Sequence, residues 1–221
     1  MNMKINIITI LLISFAFFQE ASDLGTFSIS RIHYQGGGDW YSDPSSLPNL
    51  LNFISKNTLI EVQKKENQVK IGDDIFNVSD YLYITGHGNI KLTTKEIATL
   101  RNHLLNGSFL HADDNYGMDK SFRKMIYEIF PDKELIELPY NHEIFNCFYK
   151  FKNGLPKIHE HDNKAAQALG IFHKNKLVVL YTYESDLGDG WENSNVHNVS
   201  NKKRQEALKM GANIIIYSLI N

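Results

Sequence analysis

Between Tyr81 and Gly117 two short apolar runs flank one amphipathic stretch, and a polar cluster closes each run. Tyr81-Leu82-Tyr83-Ile84-Thr85 is rich in strand formers and stops at Gly86-His87-Gly88-Asn89, where glycines admit backbone angles that other residues avoid. Thr93 followed three residues later by Glu96 has the form of a capping box. Ile97, Leu100, Leu104 and Leu105 then recur at helical spacing until Asn106-Gly107 supplies a stop. Ser108 to Ala112 reads as a second strand, with Asp113-Asp114-Asn115 directly after it. Strand, helix, strand with short joins predicts a right-handed βαβ crossover, which puts both polar clusters on one edge of a parallel sheet.

The remaining periodicity extends this unit in both directions. Phe27, Ile29, Ile32 and Tyr34 predict an opening strand, Leu47 to Ser55 a short amphipathic helix, Leu59 to Val62 a further strand, and Lys64 to Asp74 a polar turn region. Phe122, Met125, Ile126 and Ile129 mark a helix from Ser121 to Phe130, stopped by Pro131, and Leu135 to Leu138 another strand. Asn141 to Tyr149 fits either a helical turn or a short strand, and Gly154 to Ala168 is a long connection without periodicity. Gly170 to His173 and Leu177 to Tyr183, joined by Lys174-Asn175-Lys176, predict a hairpin. From Lys202 the apolar positions fit one helix better than a helix followed by a buried strand.

Ahead of this domain, Lys4 precedes an apolar run from Ile5 to Phe18, followed by polar Gln19-Glu20 and small Ala21-Ser22. The run is shorter than the roughly 20 residues a membrane-spanning helix needs, so residues 1–20 are expected to be a signal peptide, with a first core strand or helix and an uncleaved membrane anchor as the alternatives, and residues 26–221 a single exported α/β domain, periplasmic or extracellular. The composition is globular, with 43% hydrophobic and 22% charged residues, and the net charge of −2 offers no electrostatic basis for binding nucleic acid. No membrane contact is expected once the leader is removed. One cysteine, Cys147, excludes an internal disulfide and a cysteine-built zinc site.

The candidate chemistry sits after the strands. Gly36-Gly37-Gly38 resembles a phosphate loop, but no Lys-Ser/Thr follows and the next helix starts too far on to aim its N-terminus at a phosphate. What collects at the strand ends is acidic. His87, Asp113, Asp114 and Glu184 are the candidates for acid–base work, with Asp39, Trp40, Asn115, Asp186, Asp189 and Trp191 as candidate ligand-binding residues. A small polar or carbohydrate ligand fits such a lining, with the two tryptophans suited equally to stacking on a sugar face and to packing over the sheet edge. The competing role for each acid is to cap a helix or close a turn, as Asp119 and Asp189-Gly190 would do. His159-Glu160-His161 has spacing that could hold a metal in an extended segment. A lone pair of this kind reads first as a solvated loop, so no metal ligand and no cofactor is assigned.

Several runs in order carry a resemblance. They are Tyr34 to Tyr41 (YQGGGDWY), Leu82 to Gly88 (LYITGHG), Asp113 to Asp119 (DDNYGMD), Tyr183 to Trp191 (YESDLGDGW) and Met210 to Ile214 (MGANI). They resemble the bacterial family called domain of unknown function 4159, over nearly everything after the leader. The resemblance implies a three-layer α/β/α fold with a mainly parallel central sheet, class I glutamine amidotransferase-like and so flavodoxin-like, near the trehalose-utilisation proteins. It implies no activity. The amidotransferase pattern needs a cysteine nucleophile on the turn after the central strand, and this chain has His111-Ala112-Asp113-Asp114 there. Cys147 lies elsewhere, among aromatics, so the expectation is a domain without that nucleophile. It would be either an enzyme acting on a small polar ligand or a non-catalytic binding or assembly module of the cell envelope.

Overall fold

The computed structural model describes residues 25–221; the expected leader and its cleavage point lie outside the described residues. Seven strands form one mixed sheet: β1 (Ser30–Ile32), β2 (Asn67–Val69), β3 (Tyr81–Gly86), β4 (Phe109–Asp114), β5 (Ile136–Glu137), β6 (Gln167–His173) and β7 (Lys176–Tyr183). Their order is β2-β1-β3-β4-β7-β6-β5, parallel from β2 through to β7 and antiparallel for the last two pairings. The expected neighbours β3 and β4 pair in parallel from Tyr81 against Phe109 to Gly86 against Asp114.

Helices cover both faces. α1 (Ser46–Asn57), α5 (Leu187–Trp191) and α6 (Asn201–Ile220) bury their apolar side chains with Tyr81, Tyr83, Phe109 and Leu180. α2 (Asp74–Asn77), α3 (Thr94–Leu105) and α4 (Asp119–Ile129) do so with Leu82, Ile84, Leu110 and Tyr181 on the other face. The alternation within each strand is the two-residue period of the pleat, and strands apolar on both faces are what a sheet sandwiched between helices requires. The Thr93–Glu96 capping box forms as the sequence predicts, with the Glu96 carboxylate accepting from the Thr93 amide at 2.7 Å. In the hairpin turn Lys174 and Asn175 both adopt positive φ, the twist that a two-residue connection between antiparallel strands favours.

Two expectations need correction, and one that stands open between a helical turn and a short strand is decided for the turn. Leu59 to Val62 is not a strand: it touches Phe27 through one isolated bridge, and the outer strand of the parallel half is instead β2, inside the segment read as a polar turn. Neither β2 nor its neighbourhood alternates cleanly, because an edge strand of three residues needs little apolar surface. The strand expected at Leu135 to Leu138 shrinks to two residues, both exposed. Asn141 to Tyr149 resolves into a single 3₁₀ turn, Glu143–Phe145.

That irregular segment is held by one side chain of α6. Asn213, fully buried, donates to the carbonyls of Ile144 (3.0 Å) and Tyr149 (2.8 Å) and accepts from the Tyr149 amide (2.7 Å). A buried backbone without such partners would cost several times the worth of a normal hydrogen bond. C-terminal residues from 201 are one continuous helix, as read.

Candidate functional site

Two topological switch points, the β1/β3 and β4/β7 crevices, lie at the carboxyl ends of the parallel strands, where neighbouring strands send their chains to opposite faces. β1 is followed by α1 on one face and β3 by α3 on the other; β4 is followed by α4 on the second face and β7 by α5 on the first. Such divergences are where open α/β sheets leave room for ligands.

The β1/β3 crevice holds Asp39 and His87. The Asp39 carboxylate accepts from the His87 amide and lies 2.9 Å from its Nδ1. Burial works against the charge on Asp39, but the hydrogen bonds from the His87 amide and ring outweigh it and hold the carboxyl below its usual range. Glycine is required here for space: a Cβ at Gly86, whose φ is +132°, would stand 2.9 Å from the Asp39 carbonyl oxygen. The pair is open to water, with more than half of the His87 ring exposed. The polar partner of His87 is Asp39, and no hydrogen bond or ion pair joins it to Asp113, Asp114 or Glu184. Trp40 stacks on His33 (centroids 4.2 Å apart) and packs against the sheet, so it does not face the acids.

The β4/β7 crevice is built differently. Asp113, at the end of β4, is wholly buried and accepts from the Gly188 amide at 2.7 Å, from the Leu187 amide at 3.4 Å and from the Thr182 hydroxyl. Burial pushes its pKa up to about 7 despite those bonds, and the Asp43 charge adds to the rise. Behind it a polar relay runs through the core. The Tyr81 hydroxyl lies 3.1 Å from His111 Nδ1 and His111 Nε2 3.1 Å from Thr182 Oγ1. Since Thr182 donates to Asp113, His111 carries its proton on Nε2 and accepts from Tyr81. Burial lowers the His111 pKa to about 3, so the ring is neutral.

Around Asp113 the loop after β1 (Asp43), the long connection before β6 (His159, His161), the turn after β7 with α5 (Asp186, Asp189) and the stretch between α5 and α6 (His197) bring six side chains together in an alternating row. His161 Nε2 lies 2.6 Å from Asp186, whose same oxygen is 3.7 Å from His159 Nδ1; His159 Nδ1 is 2.7 Å from Asp189; and His197 Nε2 is 3.2 Å from Asp189 and 3.4 Å from Asp43. The carboxylates form the floor, at 3 to 6% exposure, and the imidazoles form the lip, at 20 to 44%. Burial, then the charges of Asp189, Asp113 and Asp43, raise the Asp186 pKa; burial also raises that of Asp43, opposed by its bond from Asn115. Among the described residues no lysine or arginine pairs with Asp43, Asp186 or Asp189.

Local structure explains the convergence. Arg31, buried on β1, donates to the carbonyls of Trp40, Ser42 and Asp43, pinning the loop that carries Asp43. Asn115 Nδ2 holds the Asp43 carboxylate. Ile158 and His159 bond through their amides to the Ser185 carbonyl, strapping the histidine-bearing connection onto the loop after β7. Tyr116 stacks on His161 at 4.5 Å. Asp43, Tyr116, Glu184 and Asp186 all adopt positive φ, a strain that the surrounding contacts hold in place. A Cβ on Gly188 would come within 2.9 Å of Asp43 Oδ2 and 3.3 Å of both Asp113 and Asn115, so the backbone itself lines the cluster.

Thus the structure brings together Asp113, Asn115, Asp186 and Asp189 of the residues singled out in sequence, and sets the others apart. Asp114 points to the opposite face, accepts from the Met118 amide at the start of α4 and from Tyr181. Glu184 is paired with Lys157 at 2.7 Å. Trp191 is a core residue: fully buried, it packs against Tyr83 and His111 and donates to the Ala207 carbonyl, and a sugar cannot stack on it. Asp119 sits in the first turn of α4 and pairs with Arg123. Reading by sequence missed Asp43, His197 and Arg31. Asp43 follows a turn with no strand signal of its own, His197 lies in a polar stretch without periodicity, and Arg31 interrupts an apolar strand, which was the one visible clue. His159 and His161, read as a solvated loop, are instead fastened to aspartates. Cys147 is half-buried, its thiol pKa raised by burial, and its Sγ lies 3.4 Å from the Asn213 carbonyl.

Residues 28–219 match the family described as domain of unknown function, DUF4159, and the chain belongs to that family. No curated protein matches the chain.

Proposed function

We propose that this member of the domain-of-unknown-function family is an exported α/β domain that binds a small polar ligand, of carbohydrate type, in the β4/β7 crevice and acts on it by carboxylate–imidazole chemistry. The observation that carries this reading is the convergence of His159, His161 and His197 on buried Asp186, Asp189 and Asp43, drawn from separate segments at one strand edge. Buried like charges raise one another's pKa and destabilise the fold, so collecting them without a lysine or arginine partner is the arrangement of a site rather than a scaffold. The order of the parallel strands, β2-β1-β3-β4-β7, supports a flavodoxin-like and amidotransferase-like sheet. The missing cysteine nucleophile separates the chain from glutamine hydrolysis, and the apolar run before residue 20 supports export. The alternative, a non-catalytic binding module of the cell envelope, is favoured by Asp114 and Glu184, two acids wholly engaged in a helix start and a lysine pair.

Thermal-shift screening against neutral and acidic sugars tests the ligand. A hit whose shift disappears in Asp186→Asn and persists in His87→Ala supports the β4/β7 crevice. A hit whose shift is unchanged in Asp186→Asn while the melting temperature falls shows that the acids are structural. Turnover of the hit, followed by mass spectrometry of the incubation, separates enzyme from binding module.

A further inference from the structure

Resting on the β4/β7 crevice as the functional site, we infer that it is a two-ion centre for divalent transition metals, with His159, His161 and Asp186 around one ion, Asp43 and His197 around the other, and Asp189 bridging them. Within each group, His159/His161/Asp186 and Asp43/Asp189/His197, the candidate ligand atoms lie within 4.8 Å of one another. Asp189 belongs to both groups by contact, since one of its oxygens is 2.7 Å from His159 Nδ1 and the other 3.2 Å from His197 Nε2. A carboxylate with one oxygen on each side is the geometry of a bridge between ions roughly 3.5–4 Å apart.

Direct hydrogen bonding leaves part of the cluster unexplained. His197 Nε2 is buried and stands between Asp189 and Asp43, yet makes an aligned hydrogen bond to neither. Ligand atoms bound at about 2.0–2.2 Å to one tetrahedral ion lie roughly 3.3–3.5 Å apart, close to the spacing seen there. Asp186 Oδ1 is likewise buried with no partner, on a side chain only 3% exposed whose other oxygen is on His161. An atom of this kind costs free energy unless something positive meets it. The surrounding contacts orient the ligands in the way metal sites need: Asn115 fixes Asp43 through Oδ2 and leaves Oδ1 toward His197, and Tyr116 stacks on His161. Mixed imidazole and carboxylate donors suit zinc, manganese or iron better than calcium or magnesium, which prefer all-oxygen cages. Polar oxygens of a bound ligand would complete the coordination of both ions.

The purified chain, stripped with a chelator, is dialysed against Zn(II) or Mn(II), freed of excess, and its metal counted by inductively coupled plasma mass spectrometry. No organic ligand is present, so the count is independent of whether a sugar binds. Two ions per chain are expected in the parent. His161→Ala, at the exposed lip and expected to keep its circular dichroism spectrum, loses one; Asp189→Asn weakens both at least tenfold in a calorimetric titration; His173→Ala, on the hairpin at the far end of β7, keeps two. A parent holding one ion or none overturns the centre, as does a count of two in a folded His161→Ala.

Discussion

The two crevices at the carboxyl edge carry the same functional groups and make opposite use of them. Between β1 and β3 one imidazole meets one carboxylate in the open, and the pair's hydrogen bonds hold Asp39 ionised. Between β4 and β7 three imidazoles meet three carboxylates over a buried fourth, Asp113, and burial drives Asp113, Asp186 and Asp43 toward their neutral forms. Exposure accounts for the difference. Water screens the first pair to a contribution of at most about 1 kcal/mol, while the second group carries a desolvation cost that its imidazole and amide partners offset in part and that a bound cation, a proton or a polar ligand would relieve further. Strand topology alone makes the crevices equivalent; desolvation distinguishes them.

The comparison breaks first at Asp113. Raising a carboxyl from its ordinary value of 3.8 to about 7 means that the folded chain keeps a proton the unfolded chain gives up. The penalty is absent below about pH 4, grows as pH rises, and is complete above about pH 7, where it is on the order of 4 kcal/mol. Asp113→Asn should therefore gain stability relative to the parent between pH 5 and pH 8, in denaturant melts run with a chelator present. An equal pH dependence in the two proteins would show that Asp113 is not held neutral. Next is Gly188→Ala, which forces a methyl against Asp43, Asp113 and Asn115 and should cost about 1–3 kcal/mol; a variant as stable as the parent would mean that the cluster yields freely. The smallest effect belongs to the open crevice, where His87→Ala should change stability by no more than about 0.5 kcal/mol, and any difference should shrink with added salt. A larger, salt-insensitive loss would place His87 in a buried role.

Much of this was readable from spacing. The capping box at Thr93, the β3–α3–β4 unit, the hairpin and the single C-terminal helix all follow from local periodicity, because each is decided by residues close in sequence. The edge strand β2 was not readable, since its pairing to β1 depends on a partner some forty positions away and on few apolar contacts. For the site, the acidic strand ends pointed to the correct edge, but burial decided which acids matter. Asp113 and Asp114 are neighbours in one strand, and the pleat sends one into the cluster and the other to the start of α4. For Trp191 sugar stacking and packing over the sheet edge stand level in sequence because the glycines before it read as loop, whereas Gly190 lets α5 pack closely on Ala207 of α6. His159 and His161 came from a segment with no periodicity, whose placement follows from amide bonds to Ser185 rather than from any pattern in their own sequence.

Asn213 has a further consequence. From Met210 to Ile215 every residue of α6 is buried, so apolar contact alone would tolerate that helix turned about its axis or slid along it. The three bonds from Asn213 to Ile144 and Tyr149 exist at one rotation and one height only. The residue is thus a register pin, much as a lone polar position aligns strands of a coiled coil. A redesign that scored α6 by hydropathy would choose leucine there, and would exchange one docked helix for several of similar energy.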